Sequence, residues 1–136
     1  MKAETIGFMS VLLPKDKVVD FEDYFNDENA RCFVGVGVKM WTNKRVNHRE
    51  DMREREYQIA CDGSLEACMI QGCNTDILSV CQKTGVESLE IYAVDAKKMI
   101  RETLTLKDGT FHFTANGLDM EERTYDLQLK QEMEAE

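Results

Sequence analysis

The sequence predicts an α+β fold: a single domain in which a mixed, mostly antiparallel sheet of about seven to eight strands packs against two helices. Three patterns predict it. The stretch Val86–Ala115 alternates apolar and polar residues with a period of two, as the strands of a half-buried sheet do. Two other stretches repeat apolar residues at helical spacing, and several dipeptides typical of tight turns separate the alternating runs.

Val86–Ala115 contains three alternating runs, and each run places its apolar side chains on one face. Those side chains are Leu89, Ile91 and Ala93, then Ile100, Leu104 and Leu106, then Phe111, Phe113 and Ala115. Asp108-Gly109 lies between the last two runs and suits a type I′ turn, which needs positive φ at both central positions. We therefore expect a three-stranded antiparallel meander with one buried face.

The beginning of the chain predicts two strands joined by a helix. Thr5–Leu13 has apolar residues on both faces, which indicates a central strand covered on two sides. After Pro14, Lys15–Asp27 predicts a helix whose apolar stripe, formed by Val18, Phe21 and Phe25, packs on the sheet. Arg31–Trp41 predicts the second strand, so this stretch can form a crossover unit.

The middle of the chain is less regular. Asn43–Glu56 is densely charged with both signs, and it fits either the exposed end of a long hairpin or a short surface helix. Asp62-Gly63 predicts a hairpin between the alternating run that starts at Tyr57 and a return strand over Leu65–Met69.

The next segment, Asn74–Thr84, predicts the second helix. Its inward side chains are Ile77, Val80 and Cys81, and Gly85 suits the left-handed stop. It leads directly into the strand at 87–94, as in a crossover unit. Beyond the meander, Asn116-Gly117 predicts a further tight turn, and a change of parity predicts a bulge or a loop near Glu121–Arg123 in the last strand.

Composition restricts the class of protein. At 136 residues, with 43% hydrophobic and 32% charged residues, the chain suits one folded domain. No apolar run is long enough to span a bilayer, and Ile6–Leu13 lacks the flanks of a signal peptide. The net charge of −9 argues against direct binding of nucleic acid, which needs surplus cations, and leaves a basic protein partner open.

The cysteines predict neither a metal site nor a cofactor. Their number is odd and no secretion signal precedes them, which favours reduced thiols and a cytoplasmic protein. The five are Cys32, Cys61, Cys68, Cys73 and Cys81, and no two of them form a Cys-x-x-Cys knuckle. Small buried apolar side chains are the simpler interpretation.

One charged feature suggests a function. At 100° per residue, four aspartates of the first predicted helix fall on the side opposite its apolar stripe: Asp16, Asp20, Asp23 and Asp27. We call this set the aspartate ridge. Amphipathic helices normally have a solvated polar face. Repulsion between like charges one turn apart nevertheless costs a few tenths of a kcal/mol per pair, which hints at a use. The ridge predicts an inhibitor or immunity-type protein that binds a basic partner, such as a nuclease toxin or a nucleic-acid-binding protein.

Two other classes of function remain open. The polar face of the meander carries Tyr92, Arg101 and His112, which could bind a small molecule or support catalysis. His112 would then act as a general base, oriented by Glu90 or Glu102 on a neighbouring strand. The third class is a structural subunit that assembles through the edges of the sheet.

Overall fold

The computed structural model describes residues 5–26, 35–41, 50–61, 63–69, 74–95, 97–117 and 120–126. The strands are β1 (Thr5–Pro14), β2 (Gly35–Trp41), β3 (Met52–Cys61), β4 (Ser88–Asp95), β5 (Ile100–Lys107), β6 (Thr110–Gly117) and β7 (Met120–Asp126). The α-helices are α1 (Val18–Asn26), α2 (Leu65–Cys68) and α3 (Asn74–Thr84), and a 3-10 turn, Lys15–Lys17, leads into α1.

The strands form one sheet in the order β2-β3-β1-β4-β5-β6-β7. Every pair of neighbours in the described part of the chain is antiparallel, so the expectation of a mixed sheet is wrong. The α+β class agrees with the structure. No described helix has the length and apolarity that crossing a membrane requires.

Two crossover connections explain why parallel strands are not neighbours. β1 and β2 run in the same direction, are connected through α1, and have β3 between them. β3 and β4 also run in the same direction, are connected through α2 and α3, and have β1 between them. The first four strands and their helices therefore have the β-α-β-β-α-β order of a split, ferredoxin-like unit. β5, β6 and β7 extend this unit as a meander.

The helices cover one face of the sheet, which we call the inner face. Alternate residues of the strands point into this layer, as a period of two requires. Its buried side chains from the sheet include Met9, Val11, Leu13, Tyr57, Ile59, Leu89, Ile91, Leu104, Phe111 and Phe113. Those from the helices include Phe21, Leu65, Ile77, Val80 and Cys81, and α1 contacts α3. The predicted inward residues of the meander and of α3 are thus buried, except Ile100, which is half-buried.

The opposite face of the sheet, the outer face, is open. Ile6 is 56% exposed, Phe8 42% and Tyr92 43%. β1 is central in the sheet, but the expectation that Thr5–Leu13 is covered on two sides is wrong for the described residues. Both helical connections lie on the inner face, so no described element is left to cover the apolar residues on the outer one.

The turns and helix ends largely follow the local sequence. Asp108 and Gly109 both have positive φ, 53° and 77°, as a type I′ turn requires, and Gly85 ends α3 at φ 73°. Gly117 pairs with Met120, so β6 continues through the predicted Asn116-Gly117 turn and the chain reverses after it. Between the pairs at Ala115 and Gly117, β7 has one residue more than β6, which places the bulge where the change of parity predicts it.

The predicted return strand Leu65–Met69 is wrong, because α2 begins there. The Ser64 hydroxyl accepts a hydrogen bond from the amide of Ala67 at 3.0 Å, which is the geometry of an N-cap. Leu65 and Met69 are both fully buried. Their spacing of four residues is helical, and the cap begins the helix before a strand can form.

The segment Asn43–Glu56 lies partly outside the described residues. Its last part, from Met52, belongs to β3, and β2 pairs with β3 in antiparallel orientation. β2 and β3 are therefore neighbours in the sheet, but residues 43–49, on which the choice between a hairpin end and a surface helix depends, lie outside the described residues. The predicted strand Arg31–Trp41 is described only from Gly35.

Gly7 gives a test of the sheet. A Cβ atom added there would lie 2.7 Å from the Cα atom of Ala93 on β4, and still closer to the carbonyl oxygen of Tyr92. Both are backbone atoms held in the β1–β4 pairing, so they cannot move cheaply. We expect Gly7→Ala to lower the free energy of unfolding by about 3 kcal/mol, measured by chemical denaturation.

A matched control for Gly7→Ala lies on the same strand. Ser10 points to the outer face, is half-buried and donates a long hydrogen bond of 3.4 Å to the Glu56 carboxylate, so Ser10→Ala should lower the free energy of unfolding by about 1 kcal/mol or less. Equal stability of Gly7→Ala and the wild-type protein would contradict the close approach of β1 and β4.

Candidate functional site

The aspartate ridge lies on the side of α1 that faces away from the sheet. Asp20 and Asp23 are exposed on α1, and Asp16 is exposed in the preceding 3-10 turn. Asp27 lies outside the described residues. The predicted single helix Lys15–Asp27 thus begins as a tighter turn, so Asp16 is not on the α-helical spacing that defined the ridge.

Cations accompany the ridge at its beginning. Lys17 lies 3.9 Å from Asp20, and both side chains are largely in solvent, at 45% and 63% exposure. Such a pair stabilises by about 1 kcal/mol or less. One of the described ridge carboxylates is therefore weakly paired within the chain, and its pairing competes only slightly with an external cation.

The inner side of α1 is tied to β3 by a polar contact that the sequence pattern did not predict. The Glu22 carboxylate accepts a hydrogen bond from the Tyr57 hydroxyl at 2.7 Å and one from the Arg55 guanidinium at 3.2 Å. The side chains of Glu22 and Arg55 are about 90% buried. Burial raises the pKa of Tyr57, and the hydrogen bond to Glu22 raises it further. The Tyr57 ring also packs on Phe21, with the ring centroids 5.9 Å apart.

This contact fixes the orientation of α1. Breaking one partner of a buried ion pair is strongly destabilising, because it leaves an uncompensated charge. Rotation of α1 about its axis would break the contact of Glu22 with β3, so Asp20 and Asp23 are held toward solvent. A signal was present in the sequence: Glu22 is a carboxylate next to the core residue Phe21, and Arg55 is a cation on a strand.

The structure places Tyr92, Arg101 and His112 on the outer face, on three consecutive strands. The register separates them, however. From strand and residue spacings, the Cα atoms of Tyr92 and His112 are about 12 Å apart, and those of Arg101 and His112 are about 14 Å apart. The three residues share a face but do not converge on one ligand-sized site.

His112 has a carboxylate partner that the sequence did not indicate. Its Nδ1 atom contacts the carboxylate of Asp126, which is directly opposite on β7. The prediction that Glu102 orients His112 is wrong, because the Glu102 side chain points to the inner face and is 2% exposed. Glu90 is two strands away, across Thr105. The His112–Asp126 pair is half in solvent, at 44% and 57% exposure.

Glu102 instead holds the beginning of α2. Its two carboxylate oxygens accept hydrogen bonds from the amides of Leu65 and Glu66, both at 2.9 Å. Burial raises the pKa of Glu102, and these two hydrogen bonds act in the opposite direction. The residue that the sequence suggested as a catalytic orienter is thus a structural cap.

Glu66 in turn connects α2 to the edge strand β7. It accepts two hydrogen bonds from the guanidinium of Arg123, at 2.9 and 3.2 Å, and one from the Tyr125 hydroxyl. Partial burial of the Tyr125 side chain, and then its hydrogen bond to Glu66, raises the pKa of Tyr125 to about 12. β7 is therefore fastened both to β6 and to the helical layer.

β7 is one of the two edge strands, with β2 at the other end of the sheet, through which the third predicted class of protein would assemble. Its side chains from Glu121 to Asp126 are exposed, and they include three acids and one arginine. Charged side chains on an edge strand discourage pairing with another strand. The bulge on β7 adds to this effect because it disturbs the straight ladder that a new strand needs.

A shallow pocket of about 280 Å³ lies between the end of α3 and the β5–β6 turn. It is lined by Leu78, Cys81, Gln82, Val86, Glu87, Leu106, Asp108 and Gly109. Small-molecule sites usually measure about 300–1,000 Å³ and enclose their ligand, so this pocket is at the small end. None of Tyr92, Arg101 and His112 lines it.

The described cysteines Cys61, Cys68 and Cys81 are free thiols. Burial raises the pKa of Cys81 to about 12, so its thiol is protonated at neutral pH and is a poor nucleophile. Within the described ranges, no three His, Cys, Asp or Glu residues are grouped so that they could hold a metal ion. Cys32 and Cys73 lie outside those ranges.

Comparison of the chain with models of protein families, with curated proteins and with solved structures gives no match.

The role of Glu102 as a cap can be tested by Glu102→Gln. The substitution replaces one acceptor oxygen with an NH₂ group, so one buried amide at the beginning of α2 loses its acceptor. We expect the free energy of unfolding to fall by about 1–3 kcal/mol. Glu121→Gln makes the same chemical change at an exposed position of β7 and should cost less than about 0.5 kcal/mol. Equal effects of the two variants would contradict the capping role.

The contact between Glu66 and β7 predicts a dependence on pH. Burial raises the pKa of Glu66, but the hydrogen bonds from Tyr125 and Arg123 outweigh burial and hold the pKa below its ordinary value. A lowered folded-state pKa means that the carboxylate stabilises the fold above its unfolded pKa, and that this contribution is lost as the pH falls through the folded pKa.

Wild type and Glu66→Gln should therefore differ in the free energy of unfolding at neutral pH, and the difference should shrink toward zero as the pH falls through the lowered folded-state pKa of Glu66. Because Arg123 is half exposed, we expect a difference of about 1 kcal/mol or less. Chemical denaturation of both proteins between neutral and acidic pH measures it. A difference that stays constant with pH would show that the ionised carboxylate is not what stabilises this contact.

Proposed function

We propose that the protein is a small acidic binding protein, of the inhibitor or immunity type, whose aspartate ridge contacts a basic protein. The observation that carries the proposal is the orientation of α1. The buried contact of Glu22 with Arg55 and Tyr57 anchors one side of the helix, and Asp20 and Asp23 project from the other. A rigid surface loses less conformational entropy on binding than a mobile one.

Electrostatics determines what such a surface can do. Each exposed ion pair adds only about 0.2–1 kcal/mol, so useful affinity requires several contacts at once. A net charge of −9 also attracts a basic partner over a distance and speeds its association. The partner would be a nuclease toxin or a nucleic-acid-binding protein whose phosphate-binding groove the carboxylates occupy.

The geometry favours binding over catalysis. The alternative site on the outer face is dispersed, since Tyr92 and His112 are about 12 Å apart by the strand register. A general base also needs a substrate held within hydrogen-bonding distance. His112 and Asp126 are about half exposed, and the pocket beside α3 lies elsewhere. We therefore place the enzymatic alternative second.

The test compares two triple variants with the same change in net charge. Asp16→Asn, Asp20→Asn and Asp23→Asn together neutralise the described ridge. Asp108→Asn, Glu121→Gln and Glu122→Gln neutralise three exposed carboxylates elsewhere. Each protein is used as bait in a pull-down from the native host, and the captured proteins are identified by mass spectrometry.

We expect the wild-type protein and the control variant to capture the same basic protein, and the ridge variant to lose it. The affinity of the captured complex should fall as salt is raised, because salt screens exposed charges. Retention of the partner by the ridge variant, or equal loss with both variants, would contradict a local role for the ridge.

A further inference from the structure

The outer face of the sheet carries an apolar patch on its two central strands. Phe8 and Tyr92 are directly opposite each other on β1 and β4, and Ile6 is opposite Val94. Three of these side chains are 42–56% exposed, and Val94 is half-buried. Contiguous exposed apolar patches on folded proteins commonly mark interaction surfaces.

The flanks of this patch carry opposite charges. On the β3 side, Glu54 and Glu56 point to the outer face, since they are opposite Leu12 and Ser10 of β1. On the β5 side, Arg101 is opposite Val94, and Lys107 is one residue past the Leu89–Leu106 pair. The patch thus has an acidic flank at one side and a basic flank at the other, with Glu90 of β4 also on this face.

From this arrangement we infer that the outer face binds a second copy of the chain, as a face-to-face dimer with twofold symmetry. The axis is parallel to the strands and lies midway between the two packed sheets, above the line that separates β1 from β4. It lies at the centre of the order β3-β1-β4-β5, so it places β1 over β4 of the partner and β3 over β5. Paired sheets with nearly aligned strands, about 10 Å apart, are a common packing.

The register makes this packing self-complementary. Each Phe8 lies over a Tyr92, and each Ile6 over a Val94, because these residues are at the same level of the sheet. Another row across the sheet contains Glu54, Leu12, Ser88 and Lys107, one from each of the four strands. Each Glu54 therefore lies over Lys107 of the other copy. Glu90 lies over Ser10. A twofold axis repeats every one of these contacts.

The arrangement of charges distinguishes this occupant from others. A basic partner would find acids on one flank only and would meet Arg101 and Lys107 on the other. A second copy, in contrast, brings Glu54 of the acidic flank against Lys107 of the basic one, and it places Arg101 over Ala60, where it meets no like charge. The two chains together carry a large negative charge, which opposes association, so we expect a dimer that dissociates at micromolar concentrations. The inference does not depend on the proposed function, since the aspartate ridge lies on the other side of the sheet.

Sedimentation equilibrium of the full chain, from about 1 to about 200 μM, tests the inference. We expect wild type to reach twice the chain mass and not to exceed it, because a twofold interface is closed. Phe8→Glu should weaken the dimer about thirtyfold or more, as the loss of a central aromatic residue does. Val19→Glu places the same charge at an apolar residue of α1 that is 66% exposed, and it should leave the dimer unchanged.

A charge swap gives the second measurement. Glu54→Lys and Lys107→Glu should each weaken the dimer, and the double variant should restore it. Circular dichroism and the unfolding midpoint show whether each variant is folded. If Phe8→Glu is not folded, Tyr92→Thr takes its place in the test. The inference is overturned if the wild-type protein stays monomeric at every concentration or forms oligomers larger than a dimer. It is also overturned if Val19→Glu weakens the dimer as much as Phe8→Glu does. A folded double variant that fails to dimerise overturns it as well.

Discussion

The structure depends on the burial of a single face of the sheet under the helices of both crossovers. Phe21, Ile77 and Leu65 enter this layer from three helices, while each strand from β1 to β6 with described side chains contributes alternate residues. A fully buried aliphatic or aromatic side chain contributes about 1.5–3 kcal/mol, several times more than an exposed ion pair. The polar contacts of Glu22, Glu66 and Glu102 therefore orient elements that the apolar layer already holds.

The sequence predicted the elements whose signals are local. The β5–β6 turn needs only Asp108-Gly109, and α3 needs only its apolar spacing and Gly85. The neighbours of each strand could not be predicted in this way. Each crossover connects two parallel strands that have a third, antiparallel strand between them, so the sheet is antiparallel and not mixed. α2 was missed because Asp62-Gly63 indicated a hairpin with a return strand, and because the carboxylate that holds its first amides, Glu102, is 36 positions away from Glu66.

The candidate surfaces show the same limit. The exposure of Asp20 and Asp23 follows from helical periodicity, but the anchor that fixes their direction, Glu22 with Arg55 and Tyr57, joins residues over 30 positions apart. The partner of His112 also depends on strand register, which the local pattern leaves undetermined. The helical layer and the outer face thus present two independent surfaces, one acidic and one apolar with charged flanks.

The place of β1 has a consequence for how the chain reaches its native state. β1 comes first in the chain, yet Val11 pairs with Arg55 and Leu89, so its partners are synthesised 44 and 78 residues later. Loops of this length must close before the pairing contributes any energy, and pairing between residues so far apart in the chain slows folding. During synthesis, a strand rich in apolar residues must wait for both of its neighbouring strands, and its apolar side chains stay exposed to water. The nascent chain therefore carries an aggregation hazard, and chaperones exist to shield such segments.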